Sequence, residues 1–262
     1  NITLNDNLVT SGATTITADS DGNSSGDIQV VDGKGINSGG ASLTLTSNDL
    51  NLNTTATINT GAGALNLLVS DGLGTTANTA AEIAIGDGDK DYDISKSELS
   101  RITSSGIVTI GDSTSGSIYV DNVSASDSNG MTGTVSLDAT KTGADVIFQN
   151  TASTFNIISA VADDTIQLFV DLSTDLGLMN LDGDITLDGA RTLTSTGRMT
   201  LNASGGNTTG NSTVTLNSNS HIDIKGDLTT AGTTTISADN DANVSGNLTV
   251  DSGKTINTQG NN

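Results

Sequence analysis

The stretch from Gly226 to Asn257 reads GDLTTAGTTTISADNDANVSGNLTVDSGKTIN, and Asp6 to Asn37 reads DNLVTSGATTITADSDGNSSGDIQVVDGKGIN, the same phrase 220 positions earlier. About half of the positions match without a gap. The matches include Leu8 with Leu228, Gly12 with Gly232, Ile16 with Ile236, Asp19 with Asp239, Gly26 with Gly246 and Ile36 with Ile256. Unrelated stretches would not align in this way, so we interpret residues 1–262 as slightly more than one copy of a module of about 220 residues. The repeat predicts that this module belongs to a longer array.

A shorter period lies inside the module and decides the fold. Gly226-Asp227-Leu228 returns as Gly246-Asn247-Leu248 after 20 positions, and Ile36-Asn37-Ser38 returns as Ile58-Asn59-Thr60 after 22 positions. Periods of this length are typical of solenoids, in which each rung of the chain stacks on the previous one. We therefore predict an all-β fold, a single β-solenoid over residues 1–262 with about 20–22 residues per rung and roughly 12 or 13 rungs.

Short apolar pairs separated by one polar residue supply the strands of this solenoid. The clearest pairs are Ile2/Leu4, Ile28/Val30, Leu43/Leu45, Leu50/Leu52 and Leu65/Leu67. Because successive side chains point to opposite faces of a strand, both apolar residues of a pair lie on one face. Glycine and asparagine between the pairs can adopt the positive φ angles of sharp corners. The pattern predicts strands of three to five residues around a thin apolar core.

The composition excludes several classes of protein. The chain has no Cys, Pro or Trp, only 2% aromatic residues and 31 Gly, so large side chains cannot fill a thick core. Its net charge is -21 with only nine Lys and Arg residues, and phosphate backbones or anionic membranes would be repelled. No run of 18 apolar residues is present, so no transmembrane helix is predicted. We expect neither nucleic-acid binding nor membrane insertion of this segment.

The stretch from Glu98 to Val120 reads ELSRITSSGIVTIGDSTSGSIYV. An E-L-x-R-I phrase followed by an apolar strand, I-G-D and a G-x-I-x-V strand resembles the repeats of very large bacterial exoproteins of the filamentous haemagglutinin type. The match is carried by Glu98, Leu99, Arg101, Ile102, Ile110, Gly111, Asp112, Gly116, Ile118 and Val120. This resemblance implies two-partner secretion and a right-handed parallel β-helix.

An acidic cluster interrupts the strands between Leu68 and Lys96, where Asp71 to Ala81 is also predicted to form a lateral loop. The spacing of the cluster matches an EF-hand calcium loop, with acids at positions 1, 3, 5, 7 and 12, although Tyr92 replaces the usual glycine at position 6. The candidate calcium ligands are Asp87, Asp89, Asp91, Asp93 and Glu98. Three alternatives stay open: a true EF-hand, calcium held in some other geometry, and a solvated acidic loop.

No catalytic residue is nominated, and we predict that the chain is not an enzyme. Gly111-Asp112-Ser113 is similar to the G-D-S of serine hydrolases, but a nucleophilic serine needs an oriented base, and His221 is the only histidine. Polysaccharide-cleaving β-helices use clustered carboxylates, or basic residues with calcium. Here only three arginines occur, and the aspartates are scattered among the turns.

Two further features leave ligand classes open. The stretch from Val146 to Leu187 is the most hydrophobic, and its Phe155, Phe169, Leu176 and Met179 could pack inside the rungs or form a docking patch. Thr-x-Thr pairs occur at Thr15/Thr17, Thr44/Thr46, Thr192/Thr194 and Thr213/Thr215. They could line an ice-binding face, or they are the outward half of ordinary strands, where threonine has good β propensity.

These observations predict a structural extracellular protein, secreted or on the bacterial cell surface. A rod-like solenoid would act as an adhesin stalk or as a filament that associates end to end or laterally, because open strand edges invite other chains. Its partners would be further copies of itself and a host or environmental surface or glycan. No cofactor is required, and calcium is the one possible ion. The alternatives are a module that binds glycan, calcium or ice, and a polysaccharide-degrading enzyme.

Overall fold

The computed structural model describes residues 1–20, 25–70, 80–202, 206–243 and 245–260, which form β-strands and two short helices. In chain order, strands β1 to β29 are Ile2–Leu4, Leu8–Val9, Thr14–Thr17, Ile28–Val30, Gly35–Asn37, Leu43–Ser47, Leu50–Leu52, Thr57–Gly61, Leu65–Val69, Ile83–Gly86, Tyr92–Ser95, Ile102–Ser104, Val108–Ile110, Ile118–Asp121, Val135–Ala139, Val146–Gln149, Ser153–Phe155, Ile158–Leu168, Leu172–Thr174, Met179–Leu187, Arg191–Ser195, Met199–Leu201, Thr208–Gly210, Val214–Ser218, His221–Ile224, Leu228–Thr230, Thr234–Ser237, Asn247–Val250 and Ile256–Asn257. Helices α1 and α2 are Lys96–Leu99 and Ala125–Ser128.

Every pairing between the described strands is parallel, and the strands stack in three columns that we name sides 1, 2 and 3. Side 1 contains β1, β4, β7, β11, β10, β14, β16, the second half of β18, the second half of β20, β23, β26 and β29. Side 2 contains β2, β5, β8, β12, a bridge at Met131, β17, β19, β21, β24 and β27. Side 3 contains β3, β6, β9, β13, β15, the first halves of β18 and β20, β22, β25 and β28.

The chain visits the three sides in turn, so the fold is the predicted parallel β-helix, an all-β solenoid of about 10 turns. At about 4.8 Å per turn, the rod is roughly 48 Å long. The prediction of 12 or 13 rungs was too high, because several turns are longer than the predicted period.

The core is a stack of the apolar pairs that the sequence pattern identifies. On side 3, residues in register from rung to rung are all buried: Leu43, Leu65, Val108, Val135, Ile158, Met179, Met199 and Ile222. Each such side chain contributes about 1.5–3 kcal/mol when it is fully buried. Contacts run between neighbouring rungs, so this contribution adds up along the axis.

The predicted period describes some turns and not others. Ile36 stacks on Ile58 at the predicted spacing, but Leu8 stacks on Ile36 and Leu228 stacks on Ile256 at a longer one. The step from Leu228 to Leu248 that suggested the shorter period is not a turn, since Leu248 lies on side 3 over Ile222. Strands of all three sides have the same alternating apolar–polar pattern. Two strands that look equivalent in the sequence can therefore lie on different sides.

Buried hydroxyl groups close the corner between sides 2 and 3. They belong to Ser38, Thr60, Ser104, Thr174, Ser195 and Ser218. Thr174 Oγ1 donates to the carbonyl of Gly177 at 2.7 Å, and Ser218 Oγ donates to the carbonyl of Gly197 at 2.6 Å. A buried backbone carbonyl needs such a donor. These hydroxyls thus give side-chain donors to carbonyl groups where the chain bends, and Gly177 O also accepts from the backbone N–H of Gly197.

One turn departs from this pattern. Strand β10 pairs with β14 on one edge and with β11 on the other, while β11 lies against β7. Side 1 thus holds two strands in this turn, and the residues that stack on side 3, Leu65 and Val108, are correspondingly far apart in sequence. The lateral loop predicted for residues 71–81 lies, over residues 71–79, outside the described residues.

Candidate functional site

The acidic cluster is the connection between β10 and β11 together with the start of α1. Because these two neighbouring strands are parallel, with Ile83 opposite Tyr92, residues 87–91 must carry the chain back along the strand. The segment is therefore flanked by strands, and the helix–loop–helix frame of an EF-hand is not formed. Asp89 is exposed at the tip of this connection.

The carboxylates of the other acidic residues are directed to partners within the protein. Asp87 pairs with Lys96 Nζ at 2.7 Å and accepts from Asn122 Nδ2 at 2.6 Å, and these two contacts hold its pKa below the ordinary value. Asp91 accepts from the backbone N–H of Glu82 at 3.0 Å, and Asp93 accepts from the N–H of Lys90 at 2.8 Å.

The geometry does not gather these residues around one ion. Within the described ranges, no group of three or more acidic, histidine or cysteine side chains is placed to hold a metal. The predicted ligands Asp87, Asp91 and Asp93 instead stabilise the turn through its own donors. Calcium binding stays a hypothesis from the spacing alone, and the function proposed below does not depend on it.

Glu98 has a structural role that its place in the calcium pattern did not indicate. Its Oε2 accepts from the N–H and the hydroxyl of Ser95, at 3.0 and 2.7 Å, and Ser95 Oγ lies 3.3 Å from the Glu98 N–H, so the two residues form a capping box at the start of α1. Its Oε1 accepts from the backbone N–H of Leu52 at 3.0 Å. Arg101 donates to the carbonyl oxygen of the same Leu52. The backbone N–H and the carbonyl oxygen of Leu52 in β7 are therefore both bound by side chains from the next turn.

Beside this connection lies a compact cluster of Glu82, Lys90 and Tyr119. Lys90 Nζ is 2.7 Å from Glu82 Oε2 and 3.7 Å from the centre of the Tyr119 ring, and the tyrosine hydroxyl donates to Glu82 Oε1 at 2.9 Å. The ammonium group thus covers one face of the ring in a cation–π contact. The cluster fixes the connection to β14 and leaves that ring face closed to a sugar.

Burial raises the pKa values of Tyr92, Asp49, Asp93 and Tyr119 at this turn. Tyr92 is completely buried, and burial, followed by the negative charge of Asp49, raises the pKa of its phenol. The hydroxyl of Ser47 lies nearby and partly offsets this rise, although the two hydroxyls do not meet hydrogen-bond geometry. Burial also raises the pKa of Asp49 and of Asp93, and backbone N–H groups partly compensate for it. This turn therefore holds unfavourable negative charge.

The serine and histidine considered for catalysis lie far apart. Gly111-Asp112-Ser113 follows β13, whereas His221 begins β25, five steps along side 3 or about 24 Å away. The Asp112 carboxylate accepts from the Thr114 and Ser115 N–H groups, at 2.8 and 3.1 Å. This segment forms a turn, and the structure does not bring a base to its serine.

The hydrophobic stretch divides between the core and the surface. Phe155 and Met179 are buried, as in the packing interpretation, while Phe169 and Leu176 are exposed. Leu176 is 62% exposed at the corner between sides 2 and 3, and on the same corner Leu178 and Ile107 are also exposed. We name these three exposed side chains the corner ridge; Leu176 and Leu178 share one rung, and Ile107 lies three rungs away along the same corner.

On side 3 the Thr-x-Thr pairs stack for only two rungs, and on side 2 the pairs Thr192/Thr194 and Thr213/Thr215 are out of step, because Thr192 stacks on Thr215 and Thr194 on Asn217. Thr15 and Thr17 lie in register with Thr44 and Thr46, but the next rung carries Asn66 and Leu68 at these positions. An ice-binding face needs a regular repeat over many rungs, so this side lacks the regularity that the ice hypothesis requires.

The comparisons with known proteins leave the fold as the basis of classification. No protein-family description, curated protein sequence or solved structure matches the chain significantly. The stacked parallel strands place it in the class of β-solenoid repeat proteins. Among the described residues, no helix is long and apolar enough to cross a membrane.

Proposed function

We propose that this chain is a rod segment of a structural extracellular protein, either the stalk of an adhesin or part of a self-assembling filament. The observation that carries the proposal is the stack of parallel strands, in which about 10 turns share one apolar core. Such a structure spans distance with few residues per unit length, and its stability grows with every added rung. The three sides carry mostly short polar side chains, which suit a solvated rod.

End-to-end association is supported by the last rung. Leu248 points inward over Ile222 and yet is 46% exposed, because no described strand covers β28 from above. An apolar residue and an open strand edge together invite a further rung. We propose that another copy of the module, or of the chain, occupies this position.

The acidic composition would control lateral association. With a net charge of -21, neighbouring rods repel one another at low ionic strength, and salt screens this repulsion. The corner ridge offers an apolar contact once the repulsion is screened. We propose the irregular turn around Glu82, Lys90 and Tyr119 and the corner ridge as the places where a host or environmental surface is recognised.

The finer assignments follow from the resemblance and from the charge. An acidic, cysteine-free rod of this kind suits a secreted or surface-anchored bacterial exoprotein of the filamentous haemagglutinin type. We propose that it works without a cofactor and without catalysis, since the structure keeps the G-D-S serine and His221 apart.

The first test is cryo-electron microscopy of the native material. Continuous fibres built from stacked rungs support the filament, and separate rods on an envelope support the stalk. Amorphous or compact globular particles would overturn both.

Two matched variants then separate end-to-end from lateral association. Leu248→Lys places a charge on the open rung, whereas Ile107→Lys places the same charge on the corner ridge, at a residue with similar exposure of 53%. Sedimentation velocity at low and high salt should show that Leu248→Lys prevents elongation and that Ile107→Lys does not. The reverse result would make lateral contact the basis of assembly. If association persisted in both variants, neither surface would be the site of association.

A further inference from the structure

The two copies of the repeated phrase lie on different sides of the rod. In the first copy, strands β2, β3, β4 and β5 occupy sides 2, 3, 1 and 2. Their equivalents in the second copy are β26, β27, β28 and β29, which occupy sides 1, 2, 3 and 1. Every strand of the second copy is displaced by one side in the same direction. The repeat in sequence therefore places equivalent strands on different sides of the rod.

Both copies nevertheless fold alike from rung to rung. Leu8 lies below Ile36 and the equivalent Leu228 lies below the equivalent Ile256, so the spacing of this turn is the same in both copies. The strands that precede the phrase agree as well, since Ile2 pairs with Ile28 and Ile222 pairs with Leu248, again at equal spacing. The displacement thus does not come from different local structures in the two copies.

Side-chain contacts repeat in the same way. Asn7 Oδ1 accepts from the N–H of Gly35 at 2.9 Å, and its equivalent Asp227 accepts from the N–H of Thr255 at 2.8 Å. A side chain at Gly26 would collide with the carbonyl of Ala18, and one at Gly246 would collide with that of Ala238. Both copies place a glycine where two backbone segments approach closely.

The displacement arises from the number of turns between the copies. From β2 the chain makes eight full turns on side 2, through β5, β8, β12, Met131, β17, β19 and β21 to β24. It then passes β25 on side 3 before it reaches β26 on side 1. One module therefore corresponds to eight turns and two further sides, which is one side short of nine turns.

We infer that the open rung formed by β27, β28 and β29 is a docking surface for another copy of the same module, and that each added module is rotated by one side. The first copy shows the occupant, because the equivalent strands β3, β4 and β5 are covered by β6, β7 and β8. The next module would thus continue with strands equivalent to β6–β8. Each module advances the rod by about 42 Å, and the original orientation returns after three modules.

This geometry gives the rod a way to present one feature in all directions. The Glu82, Lys90 and Tyr119 cluster lies beside side 1 in this copy and would lie beside a different side in each of the next two modules. A rod of three or more modules would then contact a surface whichever side faces it, and identical lateral contacts would extend to three neighbours. The inference rests on the proposed array, and it adds the orientation of each module within that array.

The test is a tandem chain in which residues 1–262 are followed by two further copies of residues 43–262, so that Asn262 precedes Leu43 as Ser42 does here. Docking is read from pyrene pairs, because the natural chain has no cysteine. The reporter variant carries Thr235→Cys in the first copy and Thr44→Cys in the second copy. The pyrene labels on these two cysteines should stack and give excimer emission. The positive control is Thr15→Cys with Thr44→Cys in the first copy, a pair that is in register.

Cryo-electron microscopy or crystallography of the tandem chain then gives the orientation. We expect the Tyr119 clusters of successive modules on three different sides, with about 42 Å between them along the axis. Excimer emission with all clusters on one side would overturn the rotation and leave the array intact. Absence of excimer emission, with the control pair still emitting, would overturn the docking surface and the proposed array together.

Discussion

The carboxylate of Glu98 accepts a hydrogen bond from the backbone N–H of Leu52, at 3.0 Å and across 46 positions of sequence. Arg101 binds the carbonyl oxygen of the same residue. These contacts replace the main-chain partners that Leu52 loses where the helical turn after β11 leaves the ladder. They give a physical reason for the E-L-x-R-I phrase. Its acid and base are three positions apart at a helix end, so one binds the N–H and the other the carbonyl oxygen of the same residue.

We therefore expect Glu98→Ala to lower the free energy of unfolding by about 2–3 kcal/mol, because a charged acceptor is removed from a backbone N–H and from the helix cap. Urea denaturation followed by circular dichroism measures the loss. Lys96→Ala, on the same helix, is the matched control and should cost less than about 1 kcal/mol, since its partner Asp87 is exposed. Equal losses in the two variants would contradict the special role of Glu98.

The hydroxyl corner between sides 2 and 3 gives a second prediction. Ser195 Oγ lies 2.9 and 3.0 Å from the carbonyl oxygens of Gly177 and Gly197 and 3.1 Å from Thr174 Oγ1. Ser195→Ala removes these contacts, while Gly177 O keeps the N–H of Gly197 and Gly197 O keeps the hydroxyl of Ser218, so we expect a loss of about 0.5–1.5 kcal/mol in the free energy of unfolding. The neighbouring Thr196 is exposed, and Thr196→Ala should change stability by less than about 0.5 kcal/mol.

Tyr92 makes stability depend on alkaline pH. Because burial raises the pKa of its phenol, the folded protein keeps the proton at pH values where the unfolded chain loses it. The stabilisation is complete below the unfolded pKa of about 10 and is lost above it, at up to about 1.4 kcal/mol per pH unit. Tyr92→Phe should be as stable as the natural protein at neutral pH or slightly more stable, and should resist alkali better.

Thermal unfolding between neutral pH and about pH 11 checks this prediction. Tyr119→Phe is the control, because Tyr119 is only partly buried and hydrogen-bonded to Glu82. If Tyr92→Phe and the natural protein lose stability in parallel above about pH 10, the buried phenol is not the cause.

The acidic connection provides a direct test of the calcium hypothesis. Since Asp87, Asp91 and Asp93 are engaged by donors of the protein, we expect calcium and a chelator to leave the melting temperature unchanged. Differential scanning calorimetry with and without calcium measures this. A calcium-dependent increase that disappears in Asp89→Asn would show that the loop rearranges around the ion and would support the hypothesis.

Much of the fold could be predicted because the strands are recognisable from local sequence. Leu43/Leu45 and Leu65/Leu67 alternate with polar residues, and the structure places both pairs inside neighbouring strands of side 3. The acidic cluster was harder to interpret. Its spacing suits an ion, yet the strand pairing of β10 with β11 turns the carboxylates toward separate donors. Distances in sequence do not specify which of several available partners a carboxylate meets.

The sequence by itself determined the alternating strands, the thin core and the long repeat that joins residues 6–37 to residues 226–257. Only the tertiary structure decided which side each strand occupies, and hence that the second copy is displaced by one side. The reason is that side assignment depends on the summed lengths of all intervening corners and on the extra strand between β7 and β14. Each strand has the same alternating pattern, so only packing against the rungs above and below fixes its place.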